Sequence, residues 1–484
     1  MQRRLPPRMS VAATRVLRLA GFVVLTAGAT LLAVLVFVLQ QRPDLQPWHE
    51  IELEGEFSAA MGAGTFADYL AVEERLFRQL DRRVYGLLPP GSDASIERYR
   101  RHSLADPRRW PRNWNRSFEM PVEDPRIAVL LLHGMSDSPY SLRSTARALH
   151  ARGAWVLGLR LPGHGTVPSA LKSVRWEDMA AAVRLAARHL REATGGRRLY
   201  LVGYSAGGAL AVHYALQGLQ DRQQPRPAGL VLISPAIGVT PLAALAVWQA
   251  RMGDLLGLDK LAWQDIKPEY DPFKYNSFAV NAGDQVYRLT AEISRLIERH
   301  RQAGDLHDLP PILAFQSAVD ATVSASAVVE GLFERLPDDG HELMLFDINR
   351  QAGMEPVLAQ DPKRDFGHLL EGHGLAYGLE VVTNRGREVV ILDKPAGAAE
   401  FSLSSTGLAW PRQVFSLSHV ALPFPGDDPL YGTGGGHGPG IHLGDLAFHG
   451  ERGVLRISAD DMLRQRWNPF YSLMERRITA FMGL

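Results

Sequence analysis

The chain has 484 residues, 46% hydrophobic and 22% charged, with a formal net charge of +1 and no cysteine. So balanced a charge gives no argument for nucleic acid as a partner, and the lack of thiols excludes disulfides and cysteine nucleophiles. The length allows one large core with insertions.

Residues 19–39 form an uncharged run of twenty-one positions. As a helix the run spans about 32 Å, enough for a hydrocarbon core of about 30 Å. Arg3, Arg4, Arg8, Arg15 and Arg18 precede it. After Arg42 no Lys or Arg occurs before Arg75, whereas Asp44, Glu50, Glu52, Glu54 and Glu56 do. The positive-inside rule then predicts one transmembrane helix, a cytoplasmic N-terminus and everything after residue 42 outside. The run ends Val36-Phe37-Val38-Leu39-Gln40-Gln41, without a small-x-small cleavage site, so residues 1–42 read as a cytoplasmic tail and uncleaved signal anchor. Arg far outnumbers Lys, and Ala, Gly, Leu and Pro are abundant. This bias points to a GC-rich bacterial genome, and hence to the periplasmic side of an inner membrane.

Residues 43–114 read as a helical linker segment. Within it, 65–84 predicts an amphipathic helix with Phe66, Tyr69, Leu70, Leu76, Phe77 and Leu80 near one face. Arg98, Arg100, Arg101, Arg108, Arg109, Arg112 and Arg116 follow as a cluster. It reads as a locally paired, solvated surface, with contact to lipid phosphates or an acidic substrate as the alternative.

An apolar run of buried-strand length, residues 126–132, ends in His133-Gly134-Met135. His133 reads as a structural hydrogen-bonding residue that shapes the loop, with a catalytic base as the alternative. A helix over 141–152, a strand over 154–161, a helix over 176–194 and a strand over 198–202 follow. That strand runs into Gly203-Tyr204-Ser205-Ala206-Gly207, and a helical run, 208–216, comes next. Gly-x-Ser-x-Gly between strand and helix is the nucleophile elbow, a sharp turn that exposes the serine hydroxyl and needs neighbours without side chains. Ser205 is the candidate nucleophile. An attacked carbonyl becomes an oxyanion, for which the backbone N–H groups of Met135 and Ala206 are the candidate donors.

Leu131-Leu132-His133-Gly134, then Leu161-Pro162-Gly163-His164-Gly165, then the elbow, resemble the α/β-hydrolase superfamily, most closely its monoacylglycerol lipase, carboxylesterase and serine aminopeptidase (S33)-like branch. The resemblance covers 115–236 and 308–347 well and the tail from about 413 in part. It implies a doubly wound, mostly parallel α/β sheet with a helical cap insertion, to which the N-terminal transmembrane helix is added. The core would be 115–236 and 308–484, with the cap at 237–307. The cap carries helical runs at 241–256 and 284–302 around Trp263, Tyr270, Phe273, Tyr275 and Phe278. Covering Ser205, it would shape an apolar acyl pocket; a purely structural helical subdomain is the alternative.

The acid candidate is Asp320, at the end of the strand-like run 311–319; the alternative is a cap for the helix that starts near Ser324. A minimal member of the fold would place the base soon after the next strand, 341–347, but an insertion at about 348–411 intervenes. The preferred base is His419, in a segment 414–419 that reads as a strand and precedes a loop; His368 and His373, inside the insertion, are alternatives among sixteen histidines. Asn384-Arg385-Gly386 in the insertion reads as a hairpin turn. Gly432-Thr433-Gly434-Gly435-Gly436-His437-Gly438 lacks the Lys-Ser/Thr of a phosphate loop and reads as a surface loop. A closing helix is predicted from Pro469.

No His-x-x-x-His ligand pair with a carboxylate is present, so neither metal nor other cofactor is expected. The expected activity is hydrolysis of a small-molecule or lipid-like carboxylic ester by a Ser205–His419–Asp320 triad through an acyl-enzyme. An amidase or aminopeptidase is the alternative, and a non-catalytic, membrane-anchored binding protein the alternative of another class.

Overall fold

The computed structural model describes residues 11–484 except 63, 222, 239–257, 352–354, 360, 372, 434–437 and 445–458. Twelve strands are described, in chain order Phe118–Met120 (β1), Ile127–Leu132 (β2), Ala154–Leu159 (β3), Leu199–Tyr204 (β4), Pro227–Ile233 (β5), Trp263–Asp265 (β6), Phe278–Ala279 (β7), Ile312–Ser317 (β8), Glu342–Phe346 (β9), Gly378–Arg385 (β10), Glu388–Lys394 (β11) and Ser402–Ala409 (β12). Ten form one sheet in the order β1-β3-β2-β4-β5-β8-β9-β10-β11-β12. From β3 to β10 every neighbouring pair is parallel. β1 closes one edge antiparallel to β3, and β11 and β12 extend the other edge antiparallel.

A parallel strand buried on both faces needs apolar residues at every position, and all six residues of β2 are buried. Ala128, Leu130 and Leu132 join one core with helices Trp176–Ala193, Ala206–Gly218 and Val280–Ala303; Ile127, Val129 and Leu131 join the other with helices Arg143–His150 and Tyr471–Met482. Each fully buried Leu or Ile contributes about 1.5–3 kcal/mol. The strand order reverses at β2, whose neighbours are β3 on one side and β4 on the other. At such a reversal the loops leaving the carboxyl ends diverge and open a crevice. The His133-Gly134 loop leaves β2 at this point, and Ser205 follows β4.

The N-terminal segment is part of the fold. Thr65 caps helix Phe66–Leu80 in a capping box with Asp68. Phe66, Tyr69, Leu76, Phe77 and Leu80 are buried as the pattern predicts, but Leu70 faces out. Arg160, fully buried just after β3, pairs with Glu56 at 2.8 Å and Glu73 at 3.4 Å. Both acids come from this segment, so it closes over a core charge that would otherwise be unpaired. The arginine cluster is mostly locally paired: Arg100 with Glu97, Arg101 with Asp81, Arg109 with Asp93 and Arg116 with Glu74.

Val11–Gln41 is a single helix of 31 residues. Among the described residues, however, no helix is long and apolar enough to cross a membrane. The expected transmembrane helix is therefore not found. The side chains of residues 11–14, 16–18, 24, 31, 32, 35 and 36 lie outside the described ones.

Two other expectations change. Residues 239–257, with most of the first cap helix, lie outside the described residues, as do 434–437 of the glycine-rich run. The second cap helix is Val280–Ala303, but it packs against helix Ala206–Gly218 as a layer of the sheet. Its apolar face, with Leu289, Ile293, Leu296 and Ile297, lies in the main core. Segment 414–419 is not a strand, because β10 already occupies the edge beside β9. Its carbonyls are taken by other partners: Asn349 N–H donates to Phe415 O, Trp410 Nε1–H to Val414 O and Ser317 Oγ–H to Leu417 O. β10 and β11 form the hairpin around Asn384-Arg385-Gly386 and belong to the central sheet.

Candidate active site

Ser205 sits between β4 and helix Ala206–Gly218 at φ 55° and ψ −119°. A non-glycine residue rarely adopts positive φ, and the strain costs on the order of 1–3 kcal/mol. Hydrogen bonds hold it there: Ser205 N–H donates to Ile233 O at 3.0 Å, and Ala236 N–H donates to Ser205 O at 3.0 Å. The flanking glycines are required. A Cβ on Gly203 would lie 2.4 Å from Gly207 O, and one on Gly207 would lie 2.1 Å from Leu132 O.

The loop after β2 packs on this turn: a Cβ placed on Gly134 would lie 3.1 Å from Ser205 Cβ. Among the described residues, neither the Met135 N–H nor the Ala206 N–H has a protein acceptor. Two free donors beside a serine are what a developing oxyanion requires. His133 holds this loop. Its Nε2 accepts the Leu161 N–H at 3.0 Å, which fixes the proton on Nδ1, and Nδ1–H donates to Gly134 O at 2.8 Å. Burial, with smaller contributions from neighbouring groups, pushes this imidazole well below its ordinary pKa. His133 is thus a neutral structural residue with both nitrogens occupied.

The other half of the site comes from β8 and the tail. His419 Nδ1 lies 2.8 Å from Asp320 Oδ2, and both side chains are buried. Asp320 Oδ1 accepts N–H bonds from Thr322 at 2.8 Å and Val323 at 3.0 Å, while Gln316 Nε2 donates to Oδ2 at 3.1 Å. Burial by itself raises the Asp320 pKa, but the charge and hydrogen bond of His419 with the two backbone donors outweigh it, so the net shift is downward. Asp320 does not cap the following helix; Ser324 does, by accepting the Ala327 N–H. The ring of Tyr204, the residue before Ser205, lies 5.2 Å from that of His419. No hydrogen bond joins His419 Nε2 to Ser205 Oγ, a contact that commonly tightens only with substrate bound.

The structure brings Asp320 and His419 together and places Met135 and Ala206 at Ser205. His368, on helix Pro362–Leu370, and His373, whose carbonyl accepts from Lys394 Nζ, belong to the insertion. Gln316 and Tyr204 were missed by sequence reasoning. The one available signal was a polar Gln in an apolar strand, since Tyr204 occupies a variable position of the elbow. A cavity of about 140 Å³ next to Tyr204 and Val420 is lined by charged groups and by Tyr270, Tyr275, Phe424 and Tyr431; the cap residues 239–257, expected to help shape an apolar pocket, lie outside the described residues.

A family of hydrolases described as serine aminopeptidase, S33, matches residues 123–348. A thermostable monoacylglycerol lipase from Bacillus sp. (strain H-257) is 30% identical over 179 residues, 37% of this chain and 67% of that relative. The chain belongs to this S33 branch of the α/β-hydrolases, and it is an enzyme of that fold. An acetyl-hydrolase from Streptomyces hygroscopicus is 40% identical over 121 residues, 24% of this chain and only 38% of the relative's length. Among solved structures, the monoacylglycerol lipase of Paleococcus ferrophilus is 23% identical with a TM-score of 0.36, covering 48% of this chain and 87% of that one. The family match includes Met135, Ser205, Ala206 and Asp320 and ends before His419.

Proposed function

We propose that the protein hydrolyses carboxylic esters of lipid-like character through Ser205, His419 and Asp320. The observation that carries this reading is the buried Asp320–His419 pair, 2.8 Å apart, at the crevice that also holds the strained Ser205. Asp320 keeps the His419 proton on Nδ1 and leaves Nε2 to take the Ser205 proton as Oγ attacks the acyl carbon. The Met135 and Ala206 N–H groups receive the oxyanion. His419 then protonates the departing alcohol, and water, activated by the same imidazole, releases the acid. The names of the curated relatives, a monoacylglycerol lipase and an acetyl-hydrolase, support an ester as substrate. The family description, a serine aminopeptidase, favours amide cleavage as the second reading.

Labelling of the detergent-solubilised protein with a fluorophosphonate probe tests the nucleophile. Wild type should label and Ser205→Ala should not; an unlabelled wild type would instead favour a binding protein. Faster turnover of aminoacyl-anilides than of p-nitrophenyl esters would replace the ester reading by the amide one.

Membrane attachment through the N-terminal helix is part of the proposal. Leu19, Phe22, Val23, Leu25, Phe37 and Val38 are exposed on it, and arginines precede the uncharged run 19–39. Arg42, just past the helix, donates to Lys260 O and Trp263 O, both at 2.7 Å, which fastens the helix end to the catalytic body. A reporter fused after residue 42 should be active only outside the cytoplasm.

A further inference from the structure

The cavity beside the candidate site is bounded by Tyr204, by Asp137 of the loop after β2 and by Val420, the residue after His419. Its remaining wall comes from residues 267–276, from Phe424 and Tyr431, and from 461–466 of the tail. At about 140 Å³ it is smaller than the ~300–1,000 Å³ of whole ligand pockets, so it suits one polar group of a substrate. Four cations and three carboxylates line it. Two of the cations are neutralised: Lys267 Nζ lies 2.9 Å from Asp461 and Lys274 Nζ 3.2 Å from Asp137. The third carboxylate, Asp271, accepts the Tyr431 hydroxyl and the N–H groups of Phe273 and Lys274.

Arg464 and Arg466 are left over. Among the described residues, neither has a carboxylate within ion-pair distance. Arg464 donates to Thr322 Oγ1 at 2.8 Å, and Arg466 to Asp461 O at 2.9 Å. Arg466 Nε is buried without a partner. A buried guanidinium donor such as Arg466 Nε is costly without a partner, and a planar carboxylate or a phosphate satisfies guanidinium donors in pairs. Thr322 also holds Asp320 through its N–H, so an anion on Arg464 would lie next to the acid loop, close to the scissile bond.

We propose that this cavity is an anion subsite in which Arg464 and Arg466 select acyl esters bearing a carboxylate or phosphate group. The inference rests on the ester-hydrolase reading and specifies its substrate class. Two matched pairs test it on the full-length protein in detergent. p-Nitrophenyl hemisuccinate against p-nitrophenyl butyrate puts a carboxylate on the acyl side. Oleoylglycerol phosphate against oleoylglycerol puts a phosphate on the leaving side. Wild type should favour the anionic member of at least one pair by ~10-fold in kcat/KM, the scale of a charge-assisted hydrogen bond. Arg464→Gln and Arg466→Gln should each lower that ratio about tenfold, and Arg464→Lys should restore part of it. Because each ratio is taken on one preparation, loss of folded protein cancels. A ratio unchanged in the variants, or a wild-type preference for the neutral member of both pairs, overturns the proposal. Should no ester of either pair be cleaved, the ester-hydrolase reading fails instead. Calorimetric titration with inorganic phosphate and with succinate then decides the subsite: arginine-dependent binding of either supports it, and binding of neither overturns it.

Discussion

Two buried histidines stand beside Ser205 in environments of opposite kind. His133, on the loop after β2, spends both nitrogens on backbone: Leu161 N–H donates to one, and the other donates to Gly134 O. His419, on the tail, spends one nitrogen on a carboxylate, Asp320. A histidine pinned to neutral backbone groups in an apolar core is held uncharged and becomes a strut. A histidine whose Nδ1 faces a buried carboxylate is held in one orientation with Nε2 free to take up and pass on a proton. Proximity to the nucleophile does not distinguish the two; their partners do.

The largest expected effect breaks the comparison on the catalytic side. His419→Ala should lower kcat by about 10⁴-fold or more and abolish fluorophosphonate labelling, whereas labelling that survives would remove His419 as the base. Asp320→Asn should cost about 10⁴-fold with the fold intact, because Asn favours the wrong tautomer. Near-normal turnover with a normal Tm would show that the carboxylate is structural. His133→Ala should act mainly on stability. It leaves Leu161 N–H and Gly134 O unpaired, a loss of about 1–3 kcal/mol read as a lower denaturation midpoint. Labelling should persist, slowed by a looser Met135 N–H. If the denaturation midpoint is unchanged and labelling disappears, the two histidines have been assigned the wrong way round.

The smallest effect is on pH dependence, and the two regions should differ in window. His133 titrates below its ordinary 6.5 in the folded state. The unfolded chain therefore takes up a proton first, and this site withdraws stability as pH falls below 6.5. Asp320 also has a lowered folded pKa, against an ordinary 3.8. Its stabilisation is fully present above that value and is lost as pH falls through the folded pKa. In Tm scans, His133→Gln should flatten the decline that sets in as pH falls below the ordinary histidine value. Asp320→Asn should lower the curve above the ordinary aspartate value by a constant amount and change its slope only near and below that value. Equal slopes in His133→Gln and wild type over the upper window would show that His133 carries no such penalty.

Much of the core was legible because its signals are local. β2 is apolar at every position because both its faces are buried. The glycines of the elbow are required by contacts within a few residues or with the adjacent strand. His133 was readable as structural from its place at the end of a strand. The surroundings of His419 were not legible: segment 414–419 looks like a strand in composition, but β10 had taken the edge it would have paired with. Helix Val280–Ala303 has an amphipathic pattern that fits a lid or a sheet layer equally well, and packing on helix Ala206–Gly218 decided it. The charges around the cavity come from three segments, 137, 267–274 and 461–466, with no spacing rule to connect them.

The sequence by itself determined the alternation of strand and helix, the elbow at Ser205 and the donors around it, because each depends on sterics and hydrophobic period within one short stretch. Only the tertiary structure decided which histidine meets Asp320, that the insertion prolongs the central sheet, and that arginines from the tail face the crevice. Those are long-range encounters, fixed by which edges and faces remain open once the core has packed.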